Sequence, residues 1–153
     1  MMKVNTSLPQ HIQQKRLLQA SAYVAGDRNK LKQVFLNLAI NAYQAMIDLK
    51  DGTLTVETFV KEASLYIKFK DTGHGMSEQT QKRLFEPFFT TKAKGTGLGL
   101  ATVHKILELH DAKIFVESHE DKGTEFTIRF NELIKQGMNR PGESDYEGQN
   151  TGS

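Results

Sequence analysis

The run Leu65-Tyr66-Ile67-Lys68-Phe69-Lys70-Asp71 alternates apolar and polar residues, and its parity carries a carboxylate onto the apolar side. Side chains two apart on a strand share a face, so Leu65, Ile67, Phe69 and Asp71 point the same way. A strand with one apolar face needs a second layer to bury it. A carboxylate under that layer costs several kcal/mol unless donors meet it, roughly 2–7 even for a neutral polar group. Asp71 also opens the turn Asp71-Thr72-Gly73-His74-Gly75-Met76, whose glycines allow positive φ and a close approach of the backbone. Two readings fit: a turn whose Asp caps its own backbone, or a buried acceptor beside an open turn, suited to a ligand carrying an amino group.

Just upstream, Thr53 to Lys61 reads as a strand joined to Ser64–Lys70 through Glu62-Ala63, which predicts an antiparallel hairpin. Before it, Leu31, Val34, Phe35, Leu38, Ala42, Ala45, Met46 and Leu49 recur at three- and four-residue intervals. That spacing predicts a helix from about Asp27 to Asp48, with Asp27 as N-cap after Gly26 and an end near Gly52. The helical period returns from Gly97 through Leu100, Val103, Leu107 and His110. Strands follow at Lys113–Ser118 and Thr124–Phe130, joined by Asp121-Lys122-Gly123. Between Thr72 and Thr96 only a short helical piece near Ser77–Phe85 interrupts an irregular stretch, and such a stretch inside a compact domain is functional or disordered.

Signals near the start are weak: a strand at Lys3–Leu8 ended by Pro9, a polar stretch with Ile12, Leu17 and Leu18, and a short strand at Tyr23-Val24-Ala25. Past Lys135 the chain is polar and glycine-bearing, a solvated or disordered tail. Helices on a mixed, mainly antiparallel sheet make an α+β two-layer sandwich. The expected organisation is one domain over 1–134, with a core from about 23 to 130 and a tail over 135–153.

Composition removes several function classes. At 153 residues, 38% hydrophobic and 25% charged, the chain has the make-up of one globular domain. The net charge of +2 comes from interspersed residues, which predicts no nucleic-acid stripe and no membrane contact. Without cysteine there is no disulfide framework and no thiolate chemistry. Met1-Met2-Lys3-Val4 does not open a signal peptide, and no apolar run reaches spanning length, so a soluble chain is expected, cytoplasmic and part of a parent protein that is either free or membrane-attached.

Two further stretches carry chemistry. Asn37, Asn41 and Gln44 sit at i, i+4 and i+7 of the long helix and line one stripe beside its apolar face. Asparagine gives up helix stability, so the pair is either a half-exposed polar flank or the host of a partner; an amide oxygen is a hard neutral ligand suited to Mg²⁺. Gly95-Thr96-Gly97-Leu98-Gly99-Leu100 opens the next helix, where closely spaced backbone N–H groups and the positive dipole end suit a phosphate. A flexible hinge is the other reading. Lys92, Lys94 and Thr96 lie just upstream, as phosphate partners or as ordinary loop residues.

Taken in order, these stretches resemble the catalytic, ATP-binding domain of sensor histidine kinases, the Bergerat fold shared with gyrase and MutL. Asn37-Leu38-Ala39-Ile40-Asn41-Ala42 resembles the N box, Asp71-Thr72-Gly73-His74-Gly75 the G1 box and Phe85-Glu86-Pro87-Phe88-Phe89 the F box. Gly95 to Leu100 resembles the G2 box, and Lys122-Gly123-Thr124-Glu125-Phe126 the final glycine-threonine element. The wording Asn-Ala-Tyr-Gln-Ala-Met and Phe-Phe-Thr-Thr-Lys is similar to the nitrogen-regulation type.

The resemblance implies ATP and Mg²⁺ as cofactors and gives roles to matching positions. Asp71 accepts from the adenine amino group, with Gly73, Gly75 and Met76 in the same turn and Thr124 supporting the adenine through the second layer of contacts. Asn41 ligates Mg²⁺, and Asn37 lies beside phosphate and metal. Gly97, Leu98, Gly99 and Leu100 place N–H groups on the phosphates, with Thr96 and Lys92 nearby. Thr72 to about Thr96 forms a mobile lid in which Phe88 and Phe89 are anchors, or simply core residues.

ATPases of this fold carry a Glu general base where this chain has Asn37, and an amide takes no proton at ordinary pH. Transfer to a histidine on a separate dimerisation domain is the implied reaction, with a response regulator downstream and this chain monomeric. None of His11, His74, His104, His110 and His119 stands in the family's phosphoacceptor setting, and each reads as a surface or packing residue. Two positions depart from the pattern: Gln44, where a basic residue is common, and His110-Asp111-Ala112, where a glycine is common. A nucleotide-gated interaction module, or a serine kinase or ATPase of the same fold, are the alternatives.

Overall fold

The computed structural model describes residues 11–19, 23–90, 99–131 and 133. The strand expected at Lys3–Leu8 and the tail past Lys135 lie outside them, as do Lys92, Lys94, Gly95, Thr96, Gly97 and Leu98.

Asp27 starts the first helix, α1 (Arg28–Met46), as expected: its carboxylate accepts from the N–H groups of Asn29 at 2.9 Å and Lys30 at 3.1 Å. Two of the four orphan donors of the first turn are thereby satisfied. The apolar stripe Leu31, Val34, Leu38, Ala42 and Met46 is buried, and Val34, Leu38 and Met46 are fully so. Each large side chain so covered contributes about 1.5–3 kcal/mol relative to exposure. At the other end, the Ala45 carbonyl accepts from His74 N–H at 3.1 Å, and His11 Nε2 lies 3.2 Å from the Ile47 carbonyl.

The hairpin expected after α1 forms from β2 (Gly52–Lys61) and β3 (Ser64–Asp71). Its two-residue turn puts Glu62 at φ 51° and Ala63 at φ 62°. Primed turns match the twist of the strands but prefer Asn and Gly. A Cβ in the left-handed region costs about 1–2 kcal/mol, and glycine returns part of that through its freer unfolded state. Ala63→Gly is therefore expected to stabilise the protein by roughly 0.5–1 kcal/mol, read as a raised urea midpoint at unchanged slope.

A short helix, α2 (Glu78–Arg83), is capped by Ser77, whose hydroxyl accepts from Thr80 N–H at 3.1 Å. Helix α3 (Gly99–Leu109) buries Val103, Ile106 and Leu107. Asp111, at φ 54°, takes the left-handed position after α3 where a glycine is common; Asp tolerates it better than most residues. The last hairpin, β4 (Ala112–His119) and β5 (Gly123–Phe130), completes the expected set.

One strand was not expected. β1 (Ile12–Leu18) pairs parallel to β2, with Ile12 opposite Gly52 and Leu18 opposite Thr58, so the sheet reaches back before residue 23. Only Ile12 of its residues is buried, so an edge strand whose remaining side chains meet solvent carries no apolar alternation to detect. The short strand expected at Tyr23–Ala25 is reduced to an isolated bridge at Tyr23.

The five strands run in the order β1-β2-β3-β5-β4, with every pair but β1·β2 antiparallel. α1 packs on β2, β3 and β5, and α3 packs on α1 and β4. Leu54, Leu65, Ile67, Phe69, Phe126 and Ile128 meet those helices and are buried. The opposite sheet face carries Phe59 and Tyr66, stacked at 5.0 Å, and a Lys68–Glu125 ion pair at 3.4 Å. This is the α+β two-layer sandwich.

Candidate nucleotide-binding site

Asp71 closes β3 on the parity of Leu65, Ile67 and Phe69 and is only 2% exposed. Its Oδ1 accepts from Gly73 N–H at 2.8 Å, the self-capped turn, and from Thr124 N–H at 3.3 Å. Thr124 stands opposite Asp71 in the β3·β5 ladder and is likewise buried. Strand order therefore brings a donor to a carboxylate fifty-three residues away.

Sequence reasoning missed the support beneath this pair. Ser118, buried on β4, donates its hydroxyl to the Gly123 carbonyl at 3.1 Å. With that proton committed, Ser118 Oγ accepts from Met76 N–H at 2.8 Å and from the Thr124 hydroxyl at 2.8 Å. Gln81 of α2 then donates from Nε2 to the carbonyls of Met76 at 3.1 Å and Ser118 at 3.0 Å. The start of the irregular segment is thus fastened to the end of β4. The parity of Ser118 with Val116 and Ile114 was the available signal, because it shares their face.

The glycines have close neighbours in the protein itself. A Cβ on Gly75, at φ 69°, would lie 1.9 Å from the His119 carbonyl oxygen; one on Gly123, at φ 101°, would lie 2.1 Å from that of Asp71. These contacts seat the turn of the last hairpin against the turn after β3.

Asn37 and Asn41 lie half-buried on α1, while Gln44 is exposed. The Asn37 amide donates from Nδ2 to the Gly99 carbonyl at 3.3 Å, joining α1 to the first residue of α3. Among the described residues, no heavy atom outside the local helix backbone lies within 4 Å of where a Cβ of Gly99 would stand, and Leu100 packs against the core. Phe88, considered as a core residue, is 76% exposed and sits at φ 67°, in the left-handed region where a Cβ is strained. Phe89 is half-buried, with the Arg83 guanidinium 4.5 Å over its ring. Among the described residues, no three His, Asp or Glu side chains gather to hold a metal.

The described histidines serve the surface or the packing. His110 bridges two helices: Nδ1–H donates to the Ile106 carbonyl at 2.7 Å and Nε2 accepts from Asp27 N–H at 3.0 Å. His74 Nε2 meets Asp48 Oδ1 at 2.7 Å, and this hydrogen bond holds the Asp48 carboxyl below its ordinary range. A carboxyl depressed in the folded state stabilises above its unfolded pKa of about 3.9, and that contribution is lost as pH falls through the lower folded value. The Asp48 carboxyl carbon is expected to titrate at lower pH in wild type than in His74→Ala, a comparison NMR makes directly.

A five-strand sheet covered on one face by two helices, with a buried Asp at a strand end and an asparagine-bearing helix tied to the start of the next, defines the class of α+β two-layer sandwiches. The chain belongs to the histidine kinase-, DNA gyrase B-, and HSP90-like ATPase family, whose model matches residues 26–134. It is 47% identical over 110 residues to sporulation kinase A of Bacillus subtilis, a match covering 72% of this chain and 18% of that protein. To sensor histidine kinase ZraS of Escherichia coli it is 43% identical over 105 residues, covering 69% of this chain and 22% of that one. The chain thus spans about a fifth of the length of these two relatives.

Among solved structures, the nucleotide-free catalytic domain of histidine kinase ThkA superposes with a TM-score of 0.68 at 30% identity, covering 78% of each chain. The mycobacterial sensor histidine kinase MprB superposes at 0.70 and 25% identity, covering 78% of this chain and 81% of that one. No helix among the described residues is long and apolar enough to cross a membrane.

Proposed function

We propose that this chain is the catalytic domain of a two-component sensor histidine kinase, binding ATP with Mg²⁺ and donating the γ-phosphate to a histidine on a dimerisation domain of the parent protein. A response regulator then receives the phosphoryl group. The observation that carries this reading is that the motifs pair up in space: Asp71 is bonded to Thr124 and Asn37 to Gly99, and the turn after Asp71 reaches α1 through His74 N–H and the Ala45 carbonyl.

In this reading Asp71 accepts the hydrogen bond of the adenine amino group, and Thr124 holds the carboxylate in place. Backbone N–H groups of Gly97, Leu98, Gly99 and Leu100, at the positive end of α3, face the phosphates. Lys92 and Thr96 add charge and a hydroxyl there, and Phe88 and Phe89 anchor the lid. Mg²⁺ takes few protein oxygens and completes its shell with phosphate and water, which suits a helix offering a neutral amide oxygen. Asn41 supplies one such oxygen. When bound, the ion neutralises phosphate charge.

Asn37 decides between transfer and hydrolysis. Its NH₂ is committed to the Gly99 carbonyl, and its amide oxygen has no proton affinity at neutral pH, so it orients without activating water. Catalysis is then positioning of the γ-phosphate for an incoming imidazole. Incubated with γ-labelled ATP, Mg²⁺ and a histidine-bearing dimerisation domain, the chain is expected to label that domain and, alone, to carry no stable label. Stable self-labelling without a partner would overturn the proposal, and a nucleotide-dependent change in the lid with no transfer would make the chain a gated interaction module.

A further inference from the structure

The sheet face turned away from the helices carries more basic than acidic side chains, set among aromatics. By register and alternation, Phe59, Tyr66, Arg129 and Lys113 form one row across β2, β3, β5 and β4. The next row holds Lys68, Thr127 and Phe115. Lys15, Lys61, Lys68, Lys70, Lys113 and Arg129 face this side against Glu57, Glu117 and Glu125. Lys68 lies 5.5 Å over the Phe59 ring and Arg129 5.3 Å over the Phe115 ring, which is itself 46% exposed. Arg129 Nε is buried and has no hydrogen-bond acceptor among the described residues.

The chain leaves this face at Phe130, one residue beyond Arg129. Downstream lies Glu143-Ser144-Asp145-Tyr146-Glu147, three carboxylates around the only aromatic residue after Phe130. Fifteen residues separate Phe130 from Asp145, about 50 Å of extended chain. A five-strand sheet is only about 19 Å across, so the segment reaches any point of the face.

We propose that Glu143–Glu147 docks on this open face of its own chain, its carboxylates meeting Lys113 and Arg129 and Tyr146 lying against the row of Phe59 and Tyr66. Solvent-exposed ion pairs are individually weak, and a free peptide of this size would bind poorly. Tethering raises the local concentration to the millimolar range, at which a few such contacts suffice. Aromatic stacking and cation–π contact add to the charge match. The face is thereby covered by a segment that salt or a competing acidic partner displaces. The inference is independent of the nucleotide site, which lies on the helix side of the sheet.

The chain has no cysteine, so Ser144→Cys in these 153 residues accepts a single spin label. Amide signals of Phe59, Tyr66, Lys113, Phe115 and Arg129 are expected to broaden severalfold more than those of α1 and α3. That contrast should vanish in about 0.5 M salt, where the screening length falls to a few ångströms, and when E143K, D145K and E147K are added. Without the label, the same three substitutions should shift the sheet-face amides and leave α1 unmoved. Even broadening over the molecule, broadening centred on the helices, or a contrast that survives charge reversal would overturn the proposal. So would the same contrast arising in unlabelled molecules mixed with labelled ones, because the docking would then be between copies.

Discussion

Asp71→Asn is expected to leave a folded protein whose affinity for ATP and ADP falls at least about 100-fold, or about 2.8 kcal/mol. The substitution retains one oxygen to accept from Gly73 and Thr124, so the turn and ladder keep the acceptor they use. An NH₂ group replaces the other oxygen, and in the proposed complex this donor faces the amino group of adenine. A buried donor opposed by a donor loses the hydrogen bond and leaves both groups desolvated. Asp71→Ala removes the acceptor as well, strands two buried N–H groups, and confounds binding with stability. The decisive measurement is calorimetric titration of Asp71→Asn with ADP and ATP beside a thermal melt. Wild-type affinity in a folded variant would remove Asp71 from the nucleotide site.

Gly123→Ala is expected to cost about 4 kcal/mol of stability. At φ 101° the residue lies beyond the region that L side chains tolerate, and the added Cβ would sit 2.1 Å from the Asp71 carbonyl oxygen. That oxygen belongs to the backbone of a central strand flanked by β2 and β5, so it cannot yield without breaking the ladder that carries Thr124. A loss of this size lowers the melting temperature by roughly 8–16 °C for a domain of this length. Gly99→Ala is the matched control, because among the described residues nothing beyond the local helix backbone stands within 4 Å of the new methyl group and alanine favours a helix. Equal melting temperatures for the two variants would show that the close approach at Gly123 carries no strain.

Much of the molecule was legible because the information was local. The stripe from Leu31 to Met46, the cap at Asp27 and the alternation from Leu65 to Phe69 each repeat within a few residues. The burial of Asp71 followed from the same alternation. β1 escaped because its residues beyond Ile12 are not buried and so carry no alternation. Ser118 shares the face of Ile114 and Val116, but that parity marks only its side of the strand, and neither it nor Gln81 on a short helix carries a local pattern that names Met76 as a partner. Of the two glycines after Asp71 only Gly75 takes a positive φ, with the His119 backbone as its closest neighbour, while Gly73 is required by its close approach to Ala45 of α1.

Local spacing sufficed for α1, α3, β2 to β5 and their order along the chain, for the face on which Asp71 lies and for the family motifs at Asn37, Asn41 and Gly99. Each depends on short-range spacing, which a chain carries whether folded or not. Long-range packing was needed to place β5 between β3 and β4, Thr124 on Asp71, His110 on Asp27 N–H, and Asn37 on Gly99. Those contacts join residues fifty-three, eighty-three and sixty-two positions apart. They form because burying two apolar layers against each other outweighs the entropy of closing such loops, a balance that belongs to the whole chain rather than to any window of it.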